Sequence, residues 1–338
     1  MIKIGVVYGG KSTEREVSKK SAKSILDSLD SQKYEIYPIF IDEKGMWYED
    51  NKSARKEIEN IIKYLQKMDI VFPVLHGLFG EDGTIQGLFE IAGVKYVGCK
   101  VLASSVGMDK VYSKIIFEKA KLNQTKYLYV KSYKYGKYIY VDENLAEKNI
   151  EVDELLDLIE NELKYPIFVK PSNSGSSVGV NKAENRTELK KNIEEAAVFD
   201  NKILIEQGII GKEVECAVLG NSKIGVEVTN PGEILPSGEY YSFDSKYNDK
   251  NSQTLISARI TDEQKEEIKK LAQKAFLAID GNGLSRVDFF VEDKTSKIYI
   301  NEINTMPGFT KISMYPKLFE AYGYNYSKLL DKIIEINL

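Results

Sequence analysis

Two strand-like segments joined by a short polar turn place the strongest constraint on how this chain can fold. Residues 286–291 and 297–303 are rich in β-branched and aromatic side chains, and residues 292–296 between them are polar. This pattern predicts a β-hairpin. A symmetric hairpin sets Asp288 opposite Glu302, because the two residues are equally far from the centre of the turn.

The second strand of this hairpin predicts a site for a cation. Alternate residues of a strand share a face, which groups Ile298, Ile300, Glu302 and Asn304. Asp288, Glu302 and Asn304 then converge on one patch, with Arg286 one step along the same face as Asp288.

Side-by-side carboxylates repel each other and need a positive charge between them. Oxygen ligands without nearby His or Cys favour Mg²⁺, which usually completes its coordination shell with substrate phosphates. The alternative is a solvated hairpin end with scattered charges, which the Pro-Gly step after Asn304 and the apolar surroundings disfavour. The stretch therefore predicts a magnesium–phosphate site.

Length and charge narrow the possible functions. A chain of 338 residues suggests two or three domains. The net charge is −4, so the chain lacks the excess of basic residues typical of nucleic-acid-binding proteins, and nucleic acid is not an expected partner. Cys99 and Cys216 lack metal-ligand spacing and are expected to be reduced core residues of a cytosolic protein. The sequence shows no signal peptide and no apolar run long enough for a membrane helix, so no membrane partner is expected.

The first hundred residues predict an open α/β domain. An apolar strand over residues 2–8 runs into Gly9-Gly10 and then an amphipathic helix, and ligands of such domains gather at the carboxyl ends of the strands. Glu14 lies at such an end. It is either a ligand-binding acid or a helix N-terminal acid favoured by the helix dipole. His76, the one histidine of the chain, follows another strand and is either structural or in contact with substrate.

A phosphate site is predicted at Lys170 and the Ser/Gly/Asn loop that follows it over residues 171–180. Small residues let backbone N–H groups approach phosphate oxygens, and the lysine adds charge. A plain Ser/Gly-rich hairpin is the alternative, since the Walker order of residues is absent. Glu206 and Glu213 flank a turn between two later strands, where they either bind adenine or ribose groups or are solvated. Residues 236–257 have few apolar anchors and are interpreted as a lid or binding loop.

Taken together, the motifs resemble those of the D-alanine–D-alanine ligases, a family of the ATP-grasp superfamily, in that family's order over nearly the whole chain. They are GGKSTEREVS (9–18), HGLFGEDG (76–83), MDK (108–110), KPSNSGSSVGV (170–180), IEQGIIGKEVECAVL (205–219), YYSFDSKY (240–247), SRVDFF (285–290) and NEINTMPGFTKISMYPKL (301–318).

The resemblance implies a multidomain fold of α/β and α+β units. An open α/β substrate domain (1–103) precedes a two-lobed ATP-grasp fold, made of a central lobe (104–206) and a C-terminal lobe (207–338) with the lid at 236–257. It also implies a cytoplasmic, homodimeric enzyme that supplies peptidoglycan precursors. Its substrates would be D-alanine and ATP, with two Mg²⁺ or Mn²⁺ ions.

The resemblance also implies roles for single residues. Those that match nucleotide-binding positions are Lys110, Lys170, Ser176, Ser177, Glu206, Glu213 and the lid lysine Lys246. Those that match metal ligands are Asp288, Glu302 and Asn304. Those that match positions at the first D-alanine are Glu14, linked to Ser176 and Tyr247 by hydrogen bonds, and His76. Those that match positions at the second D-alanine are Ser313 and Met314, and Arg286 with the N–H of Gly308 matches the oxyanion donors.

The sequence alone does not determine the second substrate. Related ligases that form D-alanyl-D-serine or D-alanyl-D-lactate differ mainly in the lid and the second-substrate pocket. Tyr247 matches the D-alanine enzymes, and the apolar Met314 suits a methyl group better than a hydroxyl. Some members carry leucine at that position and another residue at Lys311, so the pocket shape is not fixed. A catalytically inactive regulatory protein is a third interpretation, which the complete set of charged motif residues disfavours.

Overall fold

The N-terminal sheet follows the predicted open α/β pattern. A computed structural model describes residues 1–51, 54–134, 136–235 and 253–338. The strands of the first sheet are β1 (Ile2–Gly9), β2 (Tyr34–Ile41), β3 (Trp47–Asn51), β4 (Ala54–Glu57) and β5 (Ile70–Pro73), in the order β4-β3-β2-β1-β5. β1 pairs in parallel with β2 and β5, whereas β3 and β4 add an antiparallel edge that the sequence pattern did not predict. Parallel strands bring their carboxyl ends to one edge, where Glu14 and His76 lie.

A second, antiparallel sheet carries the predicted phosphate loop. Its strands are β6 (Tyr127–Lys134), β7 (Lys137–Val141), β8 (Glu147–Ile150), β9 (Ile167–Pro171), β10 (Asn181–Ala183) and β11 (Lys202–Gln207). Their order is β10-β9-β11-β6-β7-β8. The loop over residues 172–180 joins β9 to β10, and Lys170 pairs with Leu204 of β11. Lys170 and Glu206 are therefore diagonal neighbours on one face of this sheet.

The third sheet contains the hairpin. Its strands are β12 (Gly211–Asn221), β13 (Gly225–Val228), β14 (Gly232–Leu235), β15 (Gln253–Leu255), β16 (Gly283–Glu292) and β17 (Ile298–Asn304). The order is β15-β14-β12-β16-β17, and β13 pairs with β12. The predicted pair of Asp288 with Glu302 is confirmed, and Arg286 pairs with Asn304. Nearer the turn the register differs by one residue from the symmetric one, since Val291 pairs with Ile298.

The predicted grouping of four residues on one face of β17 is wrong. Asp288 pairs with Glu302 but the next residue, Phe289, pairs with Ile300, so Asn301 is an extra residue that forms a β-bulge. Ile298 and Ile300 lie in the hydrophobic core together with Ile303, whereas Glu302 lines the cleft. The bulge switches the strand from one face to the other, and periodicity alone does not reveal such an insertion.

Ten helices of the described residues cover the sheets. They are α1 (Arg15–Leu26), α2 (Ile61–Leu65), α3 (Thr84–Ala92), α4 (Val101–Met108), α5 (Lys110–Lys119), α6 (Val152–Glu162), α7 (Arg186–Phe199), α8 (Asp262–Ala278), α9 (Met314–Tyr322) and α10 (Tyr326–Asn337). The capping box predicted at Thr261 and Gln264 begins α8. None of these helices combines the length and apolar character that crossing a membrane requires.

The hydrophobic cores join the regions of the chain. One core combines Ile4 and Phe72 of the N-terminal sheet with Phe309 and Leu330 near the carboxyl end. Another places Phe117 of α5 against the C-terminal sheet. The domain boundaries near residues 103 and 206 stay predictions, but this packing fixes the first residue of α5, Lys110, between the two later sheets.

Candidate active site

A cavity of about 430 Å³ is lined by residues of both antiparallel sheets. All six predicted nucleotide-binding residues within the described part of the chain line it: Lys110, Lys170, Ser176, Ser177, Glu206 and Glu213. Glu302 and Asn304 line the same cavity. The last residue of β11 and the connection that follows it, residues 207–209, also line it, a role that was not predicted from the sequence. Lys246 and Tyr247 of the predicted lid lie outside the described residues.

Glu206 is a buried acid of the cavity and pairs with two lysines. Lys170 contacts one carboxylate oxygen, and the Lys114 ammonium lies 3.0 Å from the other. Burial alone raises the pKa of Glu206, but the charges of Lys114 and Lys170 outweigh burial and lower it to about 2. Sequence reasoning missed Lys114. The available signal was its position four residues after Lys110, which puts both lysines on one face of α5.

The phosphate loop is fastened to the start of α5. Lys110 donates from its ammonium to the carbonyl of Ser174 at 2.6 Å and lies 3.7 Å from the Glu302 carboxylate. Lys110 thus bridges the loop and the hairpin. Ser176 and Ser177 both adopt left-handed backbone angles, with φ of 50° and 59°. Such angles are uncommon outside glycine and concentrate at functional sites.

Asp109 anchors this arrangement and was not identified from the sequence. Its carboxylate accepts hydrogen bonds from the backbone N–H of Val111 at 3.1 Å and from the Ser172 hydroxyl at 2.5 Å. It also pairs with Lys202 of β11. One side chain therefore caps α5 and holds the first residue of the phosphate loop.

The hairpin residues form a buried charge network. Arg286 donates two hydrogen bonds of 2.7 Å to the Asp288 carboxylate, and Asn304 donates from its amide nitrogen to Asp288 at 3.0 Å. Arg286 also lies 3.2 Å from Glu215 of β12, an acid missed from sequence. Burial alone lowers the pKa of Arg286, but Asp288 and Glu215 raise it well above its ordinary value. The guanidinium is thus fixed by two acids that come from different strands.

Glu14 lies in a narrow cradle at the edge of the N-terminal sheet. It precedes α1, but its carboxylate makes no capping hydrogen bond to that helix. Instead, the Ser176 hydroxyl donates to it from the phosphate loop. A Cβ on Gly175 would lie 2.5 Å from the Glu14 carboxylate, and one on Gly77 would also collide with it. The space that the Glu14 carboxylate occupies therefore exists because residues 77 and 175 are glycines without side chains.

His76 connects the N-terminal domain to the segment after β17. Its Nδ1 donates to the carbonyl of Met306 at 3.0 Å, since a carbonyl only accepts, and its Nε2 lies 3.1 Å from the Ser21 hydroxyl. Ser21 also accepts a hydrogen bond from the N–H of Phe309 at 3.2 Å. Burial alone lowers the pKa of His76, but the nearby Glu81 carboxylate reverses the shift and raises it. In the described residues both ring nitrogens thus contact the protein.

Ser313 and Met314 begin α9. The Ser313 hydroxyl accepts a hydrogen bond from the N–H of Thr310 at 3.1 Å, and a Cβ on Gly308 would lie 3.2 Å from it. Gly308 and Ser313 are therefore neighbours. Met314 is buried in the core shared with the N-terminal sheet, so its side chain anchors the start of α9 to that core.

The cavity lies between two antiparallel sheets and is bordered by a strand that carries a lysine, a Ser/Gly loop and an acidic hairpin. This combination defines the chain as an ATP-grasp enzyme. Solved structures with the same fold include the VanG D-Ala:D-Ser ligase from Enterococcus faecalis, with a TM-score of 0.84 and 34% identity over 100% of this chain and 99% of that one. They also include the D-alanine-D-alanine ligase from Coxiella burnetii, with a TM-score of 0.80 and 32% identity over 99% of this chain and 93% of that one.

Sequence comparison narrows the class to one family. The family model described as D-ala D-ala ligase C-terminus matches residues 130–335, and the D-ala D-ala ligase N-terminus model matches residues 3–63 and 52–99. A D-alanine–D-alanine ligase of Clostridium acetobutylicum is 45% identical, over 99% of this chain and 97% of the relative. One of Acetivibrio thermocellus is 46% identical, over 98% and 94%. The chain belongs to the D-alanine–D-alanine ligase family.

Proposed function

We propose that this protein joins two D-alanine molecules into D-alanyl-D-alanine for peptidoglycan synthesis, through a D-alanyl phosphate that forms as ATP is converted to ADP. The contact between Glu14 and Ser176 carries the proposal. It sets a buried carboxylate, suited to an amino acid's ammonium group, directly against the loop that lines the nucleotide cavity. An amino acid held there would present its own carboxylate towards the phosphates.

The first half-reaction needs positive charge around the phosphates. The carboxylate of the first D-alanine attacks the γ-phosphate, which brings anions together. Lys110 and Lys170 both line the cavity and would offset this repulsion. Transfer of the γ-phosphate to this carboxylate releases ADP and leaves a mixed anhydride of D-alanine and phosphate.

The acidic hairpin has the donor chemistry for Mg²⁺. Asp288 and Glu302 supply carboxylate oxygens from paired positions. Asn304 bonds Asp288 through its amide nitrogen, so its amide oxygen is the donor that suits a cation. These three residues would hold the ions, whose chemistry would be to neutralise phosphate charge. Among the described residues, no group of three or more His, Cys, Asp or Glu side chains is arranged to hold a metal ion. The proposed set instead has two carboxylates and one amide.

The second half-reaction needs hydrogen-bond donors for an oxyanion. The amine of the second D-alanine, in its neutral form, attacks the acyl carbon, and negative charge develops on the acyl oxygen. Collapse of this intermediate breaks the bond to the phosphate, which leaves as inorganic phosphate, and loss of a proton from the nitrogen completes the peptide bond. Arg286 is held rigidly by Asp288 and Glu215, and the Gly308 segment is tied to the N-terminal domain through Ser21 and His76. Fixed donors of this kind are worth about 3 kcal/mol each.

A product assay tests the proposal. Purified protein is incubated with ATP, D-alanine and equal amounts of D-serine or D-lactate, and the products are separated by mass. D-alanyl-D-alanine is expected as the main product, together with one ADP per dipeptide. The D-Ala:D-Ser activity named for the Enterococcus structure makes D-alanyl-D-serine the competing outcome, and a predominantly mixed product would contradict the proposal.

Replacing Gly175 by alanine should weaken the site for the first D-alanine. The added methyl group would lie 2.5 Å from the Glu14 carboxylate, which must then swing away from the position that suits an ammonium group. Losing one charge-assisted hydrogen bond costs about 1.5–3 kcal/mol. The KM for the first D-alanine should therefore rise roughly 10- to 150-fold, as measured by initial rates that separate the two D-alanine KM values.

Gly87→Ala is the matched control for this substitution. Gly87 lies in α3, and a Cβ there would meet nothing within 4 Å. Kinetics should be unchanged and stability equal or slightly higher. A Gly175→Ala enzyme with a normal KM for D-alanine would show that the Glu14 cradle does not bind substrate.

A further inference from the structure

The buried triad of Lys114, Glu206 and Lys170 contains one lysine that faces the cavity and one that does not. Lys170 and Glu206 line the cavity, whereas Lys114 is 2% exposed and lies behind Glu206. Thr125 completes the group, with its hydroxyl 3.3 Å from the carboxylate oxygen that Lys114 approaches. The two lysines thus occupy different oxygens of one carboxylate.

The two lysines differ in their freedom to move. Lys170 approaches the Asn301 amide oxygen at 3.5 Å, and its ammonium is within the cavity where a phosphate would enter. Lys114 projects from α5 into the interior, 5.2 Å from the ring centre of Tyr127. Lys114 does not line the cavity, whereas Glu206, 3.0 Å from its ammonium, does. Only Lys170 can exchange Glu206 for another anion.

Such an exchange would be costly if Glu206 had a single partner. A buried carboxylate without a counter-ion is strongly destabilising, because its lost hydration is not replaced. With Lys114 in place, Glu206 keeps one cation when Lys170 leaves. Burial lowers the pKa of Lys114, and Glu206 offsets part of that shift, which agrees with a lysine that is retained inside the protein by this one carboxylate.

We infer that Lys114 is a positioning residue for nucleotide binding: it is the permanent counter-ion of Glu206 and thereby releases Lys170 to bind a nucleotide phosphate. The inference rests on the proposed use of ATP and deepens it. Lys114 itself touches neither nucleotide nor D-alanine. Its effect is confined to the phosphate part of the nucleotide, because Lys170 is the group that it sets free.

The test compares MgADP with adenosine, which lacks phosphates, by calorimetry without D-alanine. In Lys114→Met, Glu206 retains only Lys170, which should stay paired with it. The affinity for MgADP should fall roughly 10- to 100-fold, the effect of one charge-assisted contact, while the affinity for adenosine should change by less than about threefold. Lys119→Met, at an exposed position of the same helix, is the control and should leave both affinities unchanged.

A double variant separates positioning from packing. In Lys114→Met/Glu206→Gln no unpaired carboxylate is buried and Lys170 is unpaired, so the ratio of the two affinities should return to within about threefold of the unchanged protein. Because Glu206 borders the nucleotide, this ratio, rather than either affinity alone, is the readout.

Two results would overturn the inference. One is an equal loss of MgADP and adenosine affinity in Lys114→Met, which indicates a general packing defect. The other is a ratio that stays low in the double variant. If the single variant does not fold, the double variant decides alone, since a low ratio there contradicts the inference. The product assay with unchanged protein tests dipeptide formation separately, so a failure of either proposal is distinguishable from a failure of the other.

Discussion

Replacing Arg286 by methionine is expected to lower kcat about 10²- to 10³-fold, the effect of removing one oxyanion donor. Methionine keeps much of the side-chain volume but no positive charge. Asp288 would lose two hydrogen bonds of 2.7 Å, and Glu215 would lose a cation at 3.2 Å. Two buried acids would then face each other, so the free energy of unfolding should also fall, by about 3–5 kcal/mol. Steady-state kinetics and thermal unfolding measure the two effects.

Arg286→Lys separates the two effects. Lysine keeps one positive charge between Asp288 and Glu215 but cannot make the paired hydrogen bonds of a guanidinium. The free energy of unfolding should return most of the way to that of the protein with Arg286, whereas kcat should stay low. If Arg286→Lys restored both properties together, the charge alone would matter and the oxyanion role of the guanidinium would be wrong.

The sequence predicted the hairpin but not its bulge. Strand composition and a polar turn predicted the hairpin, but the pair of Asp288 with Glu302 depends on the bulge. Nearer the turn Phe289 pairs with Ile300, and this register would set Asp288 opposite Asn301 if no extra residue followed. The extra residue, Asn301, interrupts the alternation, and Ile303 then takes the buried face that Glu302 would have shared. No local sequence pattern marks the bulge, because it depends on which side chains pack into the core.

The partners of the site residues were harder to predict than the residues themselves. Lys170 and its loop have a local pattern, but Lys114 pairs with Glu206 across 92 positions of sequence numbering, and Arg286 meets Glu215 only through strand pairing. Charged residues on a helix or strand are usually solvated. The spacing from Lys110 placed Lys114 on the same face of α5, but it did not mark Lys114 as buried, and no local pattern marked Glu215. The family resemblance supplied the contact between Glu14 and Ser176, which periodicity could not.

Charges at this site are arranged in buried groups that mix signs. Glu206 has two lysines, and Arg286 has two acids. Each central group has two partners of opposite charge. When a ligand takes one of these partners, the central group still has the other. This arrangement lets a protein keep ionised side chains in a cavity that is filled and emptied by highly charged molecules.

Glu302→Gln is expected to reduce ADP formation by roughly 10³-fold, because the several kcal/mol that bound cations contribute to phosphoryl transfer depend on their ligands. The substitution keeps the shape of the side chain and removes its charge. Glu302 pairs with Asp288 across the hairpin and lies 3.7 Å from Lys110, so glutamine should fit without disturbing the fold. The Mg²⁺ concentration that gives half-maximal rate should also rise, which a titration of the residual activity measures.

The matched control is Glu292→Gln at the turn of the same hairpin. Glu292 ends β16 and contacts Thr295 of the turn, and it is not among the residues that line the cavity. This variant should turn over normally with an unchanged Mg²⁺ requirement. Unchanged turnover in Glu302→Gln would remove the magnesium assignment from the hairpin, even if dipeptide formation were established. A lower rate with an unchanged Mg²⁺ requirement would instead indicate that Glu302 acts through Lys110, whose ammonium lies 3.7 Å from its carboxylate and also holds the phosphate loop.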